Sequence, residues 1–189
     1  YPESLTDPSY AGQLMTLTFP LVGNYGIPPF TIEPNGLATF MESEKIHAEA
    51  IIISDYSYEY SHWNAVESLA DWLKREKTPG ITGIDTRELT KVLREHGVMM
   101  GRVVFDGLNE NEGLRMMNEE FPSYADINYV DRVSCKKIVH YFPDGSSHCS
   151  AADASFLIPY SSLKKVVLVD CGVKANIIRC LLKRNVEVI

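Results

Sequence analysis

Residues 164–189 read KKVVLVDCGVKANIIRCLLKRNVEVI, and this stretch decides the fold class. The run KKVVLVD (164–170) is short, apolar and rich in valine, which predicts a strand suited to the middle of a parallel sheet, where both faces are covered. In CGVKANIIRCLLKRN the residues Ile177, Ile178, Leu181 and Leu182 recur at helical spacing, so a helix turning those four inward is expected. VEVI opens a further strand. Strand, crossover helix and strand make a βαβ unit, here the first of a doubly wound α/β domain. About 25 residues cannot fill such a domain, which needs on the order of 100. The stretch is therefore expected to open a domain that continues past Ile189.

Upstream, CSAADASFLIPYSSL (149–163) is small, polar and weakly patterned, and is expected to be a linker. Before it, IVHYFPDGSSH predicts a hairpin with Asp144-Gly145 as a type I′ pair. Residues 1–148 then form a first domain in which strand and helix alternate. QLMTLTF (13–19) and HAEAIIIS (47–54) read as strands. Leu37, Phe40 and Met41 fall at i, i+3 and i+4, which predicts a short helix. From Ser61 the spacing of Val66, Leu69, Ala70 and Leu73 predicts another, stopped by Thr78-Pro79-Gly80. IDTRELTKVLREHG has both ends of a helix written in: Asp85 as N-cap, Glu88 three residues on as in a capping box, a stripe of Leu89, Val92 and Leu93, and Gly97 as C-cap. VMMGRVVF (98–105) reads as a strand.

A chain of 189 residues with 45% hydrophobic content buries a real core. Its 25 acidic residues outnumber 18 basic ones, and the basic clusters are short and scattered, which argues against nucleic acid or an anionic membrane as partner. No apolar run approaches a membrane span and no signal-like segment follows a basic start, so a cytoplasmic protein is expected. Four cysteines without Cys-x-x-Cys spacing read as reduced thiols. Cys135, His140, His148 and Cys149 lie near one another in sequence, but their spacing matches no zinc motif, and no metal is expected.

Candidate chemistry is sparse. No Gly-x-Cys-x-Gly elbow surrounds Cys171 or Cys180, and neither a Gly-x-Gly-x-x-Gly fingerprint nor a Walker loop occurs. Tyr56, Tyr58 and Tyr60 stand two apart, as a binding ledge or as a half-buried extended segment; with nothing basic between the rings, packing is the expected role. Arg87 and Arg94 read as solvated surface charges. In YPESLTDPSYAGQ (1–13), proline at 8 fixes its own backbone and restricts Asp7, so Ser9 sits in a turn of one shape. The commoner role of such a hydroxyl is a bond to its own backbone; the other is to be offered to a ligand.

In order, YPESLTDPSYAGQ, LTFPLVGNYG, GITGIDTRELTKVLREHGVMMG and VVLVDCGVKANIIRCLLKR resemble the small, glutamine-hydrolysing subunit of carbamoyl phosphate synthase. Residues 107–163 match the family least. The resemblance implies an N-terminal domain of the swivelling β/β/α kind with a mixed sheet, here without its first strands. A flavodoxin-like class I glutamine amidotransferase domain would follow, beginning at 164. In such enzymes a Cys-His-Glu triad, expected beyond Ile189, forms a glutamyl thioester and releases ammonia. The ammonia reacts on a large synthetase subunit, or fused synthetase region, with bicarbonate activated by ATP and Mg.

This chain alone should then be catalytically incomplete and carry no cofactor or metal. Its partners would be L-glutamine and the synthetase, and the product would feed arginine or pyrimidine synthesis. The serine of the family's TDPSY motif binds glutamine, and here that residue is Ser9. Two other readings stay open: a nonenzymatic interaction module, and a nucleotide- or flavin-binding protein. Against the second, the turn DCGVKAN holds one glycine where a dinucleotide fingerprint needs several.

Overall fold

The structure, a computed structural model, describes residues 1–104, 126–150 and 162–189. Its described part is α/β, with small parallel and mixed sheets. β1 (Leu14–Thr16), β3 (Ala50–Ile52) and β5 (Gly80–Ile81) form a parallel sheet in the order β1-β3-β5. β2 (Leu21–Val22) and β4 (Asp55–Tyr56) form a parallel pair beside it. Ile51 and Ile53 pack there with Leu5, Met15, Ile27 and Trp72 in the main core.

A short helix, α1 (Pro2–Leu5), precedes the first sheet, and α2 (Leu69–Glu76) covers it with Leu69, Trp72 and Leu73. α2 begins later than the apolar spacing predicts. Ser68 caps it by accepting the Asp71 N–H at 3.1 Å. Residues before it are tied into extended structure, where Ile27 bridges Glu67. Val66, expected on the buried face, is consequently exposed. α2 stops at Lys77, whose φ of 58° is left-handed, followed by Thr78-Pro79 as the sequence foretold.

α3 (Thr86–His96) has the expected ends. The Asp85 carboxylate accepts the Glu88 N–H at 2.9 Å, and Gly97 closes the helix at φ 81°, donating its N–H to Leu93 O. The reciprocal half of the capping box is not made, because the Glu88 carboxylate accepts Lys91 Nζ at 2.9 Å instead. Arg87 and Arg94 are exposed.

Two expected elements are absent. Residues 37–41 form no helix but an isolated bridge from Ala38 to Ile32 followed by bends, since the Asn35 side chain accepts the Leu37 N–H at 2.9 Å and holds a turn where a helix would start. Leu37 and Met41 are buried all the same. Residues 98–104 are irregular rather than a strand.

α4 (Tyr129–Val133) leads into the hairpin of β6 (Ile138–Tyr141) and β7 (Ser147–Ser150). Its turn is not the type I′ pair expected. Gly145 donates its N–H to Phe142 O at 3.1 Å, placing Pro143 at the first inner position of a four-residue turn. Proline cannot take the positive φ that type I′ demands there, so only Gly145, at φ 87°, is left-handed.

β8 (Lys164–Val166), α5 (Ala175–Leu182) and β9 (Val186–Val188) make the βαβ unit, with β8 and β9 parallel. Among the described residues the sheet order is β7-β6-β9-β8, and Val167 and Val169 are exposed. α5 buries Ala175, Ile178 and Leu182 against Leu37 and Val188. Leu181 packs partly against that cluster, and Ile177, expected inward, faces solvent.

The expected boundary at 148 falls inside β7, which shares a sheet with 164–189. Residues 151–161 of the expected linker lie outside the described residues. Within this sheet Glu187 is fully buried, with His140 Nδ1 and Lys165 Nζ each 3.8 Å from its carboxylate.

Candidate functional site

The Asp-Pro-Ser turn is held from below by a run of buried residues. Leu5 O accepts the His47 N–H at 3.0 Å and Thr6 O accepts the Ser43 hydroxyl at 2.6 Å. The Thr6 hydroxyl in turn accepts the Glu42 N–H at 2.9 Å. Asp7 then caps a single 3-10 turn, Pro8–Tyr10, by accepting the Ser9 N–H at 2.9 Å. The turn is thus bonded by the aspartate side chain, and Ser9 is carried on its exposed rim. Gln13 closes the far side, donating from Nε2 to Ser9 O at 3.1 Å.

Against this turn packs the loop between β8 and α5. Lys174 Nζ lies 2.6 Å from Asp7 Oδ2. Gly172, at φ 102°, sits where a Cβ would come within 2.8 Å of Val133 and 3.2 Å of Pro8, so this approach of loop to turn requires glycine. Asp170 organises the loop itself: its carboxylate accepts the N–H groups of Cys135 at 2.7 Å and of Gly172 and Val173 at 2.8 Å.

The charges follow from these contacts. Burial alone would push the Asp7 carboxyl up. Hydrogen bonds from Lys174 and from the Ser9 N–H and hydroxyl, with the charge of Lys174, outweigh it and hold the group below the usual carboxylate range. Asp170 is likewise held low against its burial by the three N–H donors. The Cys135 thiol is pushed up by burial and by Asp170, which keeps it a neutral thiol and a poor nucleophile. Burial and Lys45 lower His47, whose Nε2 lies 3.0 Å from Ser43 Oγ.

A second contact runs beside the first. α5 has no cap from its own N-terminal side chain. Glu42 supplies it from a distant segment: its carbonyl accepts the Ala175 N–H at 3.0 Å and its carboxylate the Asn176 N–H at 2.9 Å. Arg179 approaches that carboxylate at 3.6 Å and donates to the carbonyls of Ala38 and Met41. Asp7, Glu42, Asp170, Lys174 and Arg179 were not singled out from the sequence. Asp7, as an Asp-Pro turn cap, and Asp170, bonded to the N–H groups two and three residues on, act locally; Glu42, Lys174 and Arg179 act across long separations that periodicity cannot register.

Among the described residues, no group of three or more His, Cys, Asp or Glu side chains is gathered to hold a metal ion. Of the four residues weighed as ligands, Cys135 and Cys149 are exposed, His140 is buried beside Glu187, and the His148 side chain lies outside the description. Cys171 is exposed, and Cys180 donates weakly to Asn176 Oδ1 at 3.9 Å. No described helix is long and apolar enough to cross a membrane.

Residues 1–103 match the family of the carbamoyl-phosphate synthase small chain, CPSase domain. The chain is 44% identical over 189 residues to the carbamoyl phosphate synthase arginine-specific small chain of Eremothecium gossypii, covering 100% of this chain and 42% of that one. It is 42% identical over 189 residues to the multifunctional protein pyr1-3 of Dictyostelium discoideum, covering 99% of this chain and 8% of that protein. Against the multifunctional protein CAD of Squalus acanthias the identity is 42% over 188 residues, with 100% and 7% covered. The chain thus spans about two fifths of the small chains it matches, and less than a tenth of the multifunctional proteins.

Proposed function

Because the chain belongs to the carbamoyl-phosphate synthase small chain family, we propose that it is the substrate-orienting and partner-facing part of a cytoplasmic, glutamine-dependent carbamoyl phosphate synthase. Its N-terminal domain is of the swivelling β/β/α kind, and 164–189 opens a flavodoxin-like, doubly wound amidotransferase domain. Ser9 holds L-glutamine. Cleavage of the glutamine amide is assigned to a Cys-His-Glu triad outside residues 1–189. The ammonia goes to a large synthetase subunit, or fused synthetase region, which uses ATP and Mg. No metal or cofactor is assigned to this chain.

The observation that carries the reading is the seat of Ser9. It is exposed on a turn whose cap, Asp7, is ion-paired to Lys174 on the loop leading into α5. A hydroxyl so held has little freedom left to lose when it meets a ligand. The turn that carries it packs, through Asp7 and Pro8, against the loop that opens the βαβ unit, the kind of strand-to-helix turn at which α/β sheets bind their ligands.

The test is Ser9→Ala in the complete enzyme. Loss of one hydrogen bond to a charged end of glutamine is worth about 1.5–3 kcal/mol, a ten- to hundred-fold poorer use of glutamine. It should appear mostly in KM, since Ser9 grips the substrate away from the reacting amide. Synthesis driven by free ammonia should be nearly unchanged. Unaltered glutamine kinetics, or a parallel fall in the ammonia-driven rate, would make Ser9 a structural turn residue.

A further inference from the structure

The tyrosine stretch does not pack as expected. Tyr58 is 87% exposed, and Trp63, five residues on, is 87% exposed as well. Tyr25, from the loop after β2, extends the Trp63 end: its ring lies 5.8 Å from His62, which lies 5.5 Å from Trp63, while Tyr58 meets Tyr56 edge-on at 5.0 Å. Val66, further along the same loop, is 60% exposed.

The backbone under these rings is fixed. Ser57 donates its N–H to Val22 O at 2.8 Å, Ser61 to Asn24 O at 3.0 Å and Val66 to Ile27 O at 2.9 Å, so the two loops form one ledge. Rings on fixed backbone lose little freedom when covered, and several large exposed aromatics carried on two hydrogen-bonded loops mark an interaction site.

The charge around the ledge selects its occupant. Among residues 1–73 the only lysine or arginine is Lys45, against ten aspartates and glutamates. Asp55 and Glu59 lie within the ledge segment itself, and both are exposed. Glu67 at its end is already paired, 2.5 Å from Arg75. Aromatic faces and unpaired carboxylates without a cation among them attract guanidinium and ammonium groups.

We propose that this ledge docks a basic, arginine- and lysine-bearing face of the synthetase partner, a proposal that rests on the partner reading above. Trp63 and Tyr58 receive the cationic side chains on their ring faces, Val66 adds apolar surface, and Asp55 and Glu59 form the charged rim. A second copy of this chain is a poorer occupant, because the same acidic surface would meet itself.

The test titrates the complete small chain, of which residues 1–189 are a part, into the synthetase polypeptide of the same organism by calorimetry, at low and at physiological salt. The double variant Trp63→Ala/Tyr58→Ala should bind about ten- to hundred-fold more weakly. Glu59→Lys should also weaken binding, and more so at low salt, whereas Trp63→Phe should keep most of the affinity. All three side chains are exposed, so each variant should melt with the wild type. If the wild type binds and the double variant binds equally well, the docking proposal falls and the partner reading stands. If the wild type does not bind at all, the partner reading falls and takes this proposal with it. If the double substitution abolishes only self-association in sedimentation, the ledge is a contact between copies and the proposal is overturned.

Discussion

Asp7 and Lys174 set the residue scale. Asp7 is 5% exposed, yet its carboxylate stays ionised because Lys174 and the Ser9 donors face it. A carboxyl whose folded pKa lies below its unfolded value contributes stability above the unfolded value, about 3.9, and loses it as pH falls through the folded one. Lys174→Met removes the ammonium and leaves burial with less to oppose it. The variant should be less stable by about 1 kcal/mol at neutral pH, a modest figure because solvent reaches the lysine. The gap should narrow as pH falls below the unfolded value and close only once pH has passed below the lowered folded value of Asp7, where the carboxyl is protonated in both proteins. Thermal melts from neutral into acid test it; a gap that does not narrow at all as pH falls would mean that Lys174 acts by packing. Ser9 was legible as a firmly held turn residue because Asp7-Pro8 is a local signal. Lys174 was not, since nothing near it in sequence hints at a carboxylate from the first turn.

At the scale of elements, α2 weighs two kinds of stabilisation against each other. Ser68→Ala removes the cap, and should cost about 1 kcal/mol. Trp72→Ala empties a site that is 2% exposed, and should cost about 3–5 kcal/mol. Urea unfolding should rank them in that order, and equal losses would mean that the cap, rather than the packed face, sustains the helix. α3 shows which signals survive folding. Its ends were readable because caps are made within a few residues, and Asp85 and Gly97 perform as written. Its stripe of Leu89, Val92 and Leu93 ends only half-buried among the described residues, because periodicity tells that a face is apolar and not how deeply a neighbour covers it. The same limit accounts for 37–41, where Leu37 and Met41 keep helical spacing and are buried, but the Asn35 turn takes the backbone elsewhere.

On the scale of the whole molecule, the segment around Glu42 and the start of α5 hold each other. Glu42→Ala leaves the Asn176 N–H without its acceptor and Arg179 without its carboxylate, which should cost about 2–3 kcal/mol. The loss should be local before it is global. Hydrogen exchange at the first turn of α5 should quicken by roughly ten-fold or more while amides of β3 keep their protection, and uniform quickening would show that the two regions unfold as one unit. The alternation of strand and helix and the terminal βαβ unit were legible, being written in short periods. The mixed order β7-β6-β9-β8 was not, because it joins a hairpin to strands on the far side of a weakly patterned stretch.

The cap that Glu42 lends to α5 spans 134 positions of the chain. A ribosome adds about 5–20 residues per second, so roughly 7–27 s separate the synthesis of the carboxylate from that of the amide it serves. Throughout that interval the first segment is made but waits for its counterpart, and α5, when it emerges, has no cap of its own with which to nucleate. Completion of this fold is therefore set by the pace of translation rather than by local folding, and the nascent chain has its longest need of a chaperone between the appearance of residues 42 and 176.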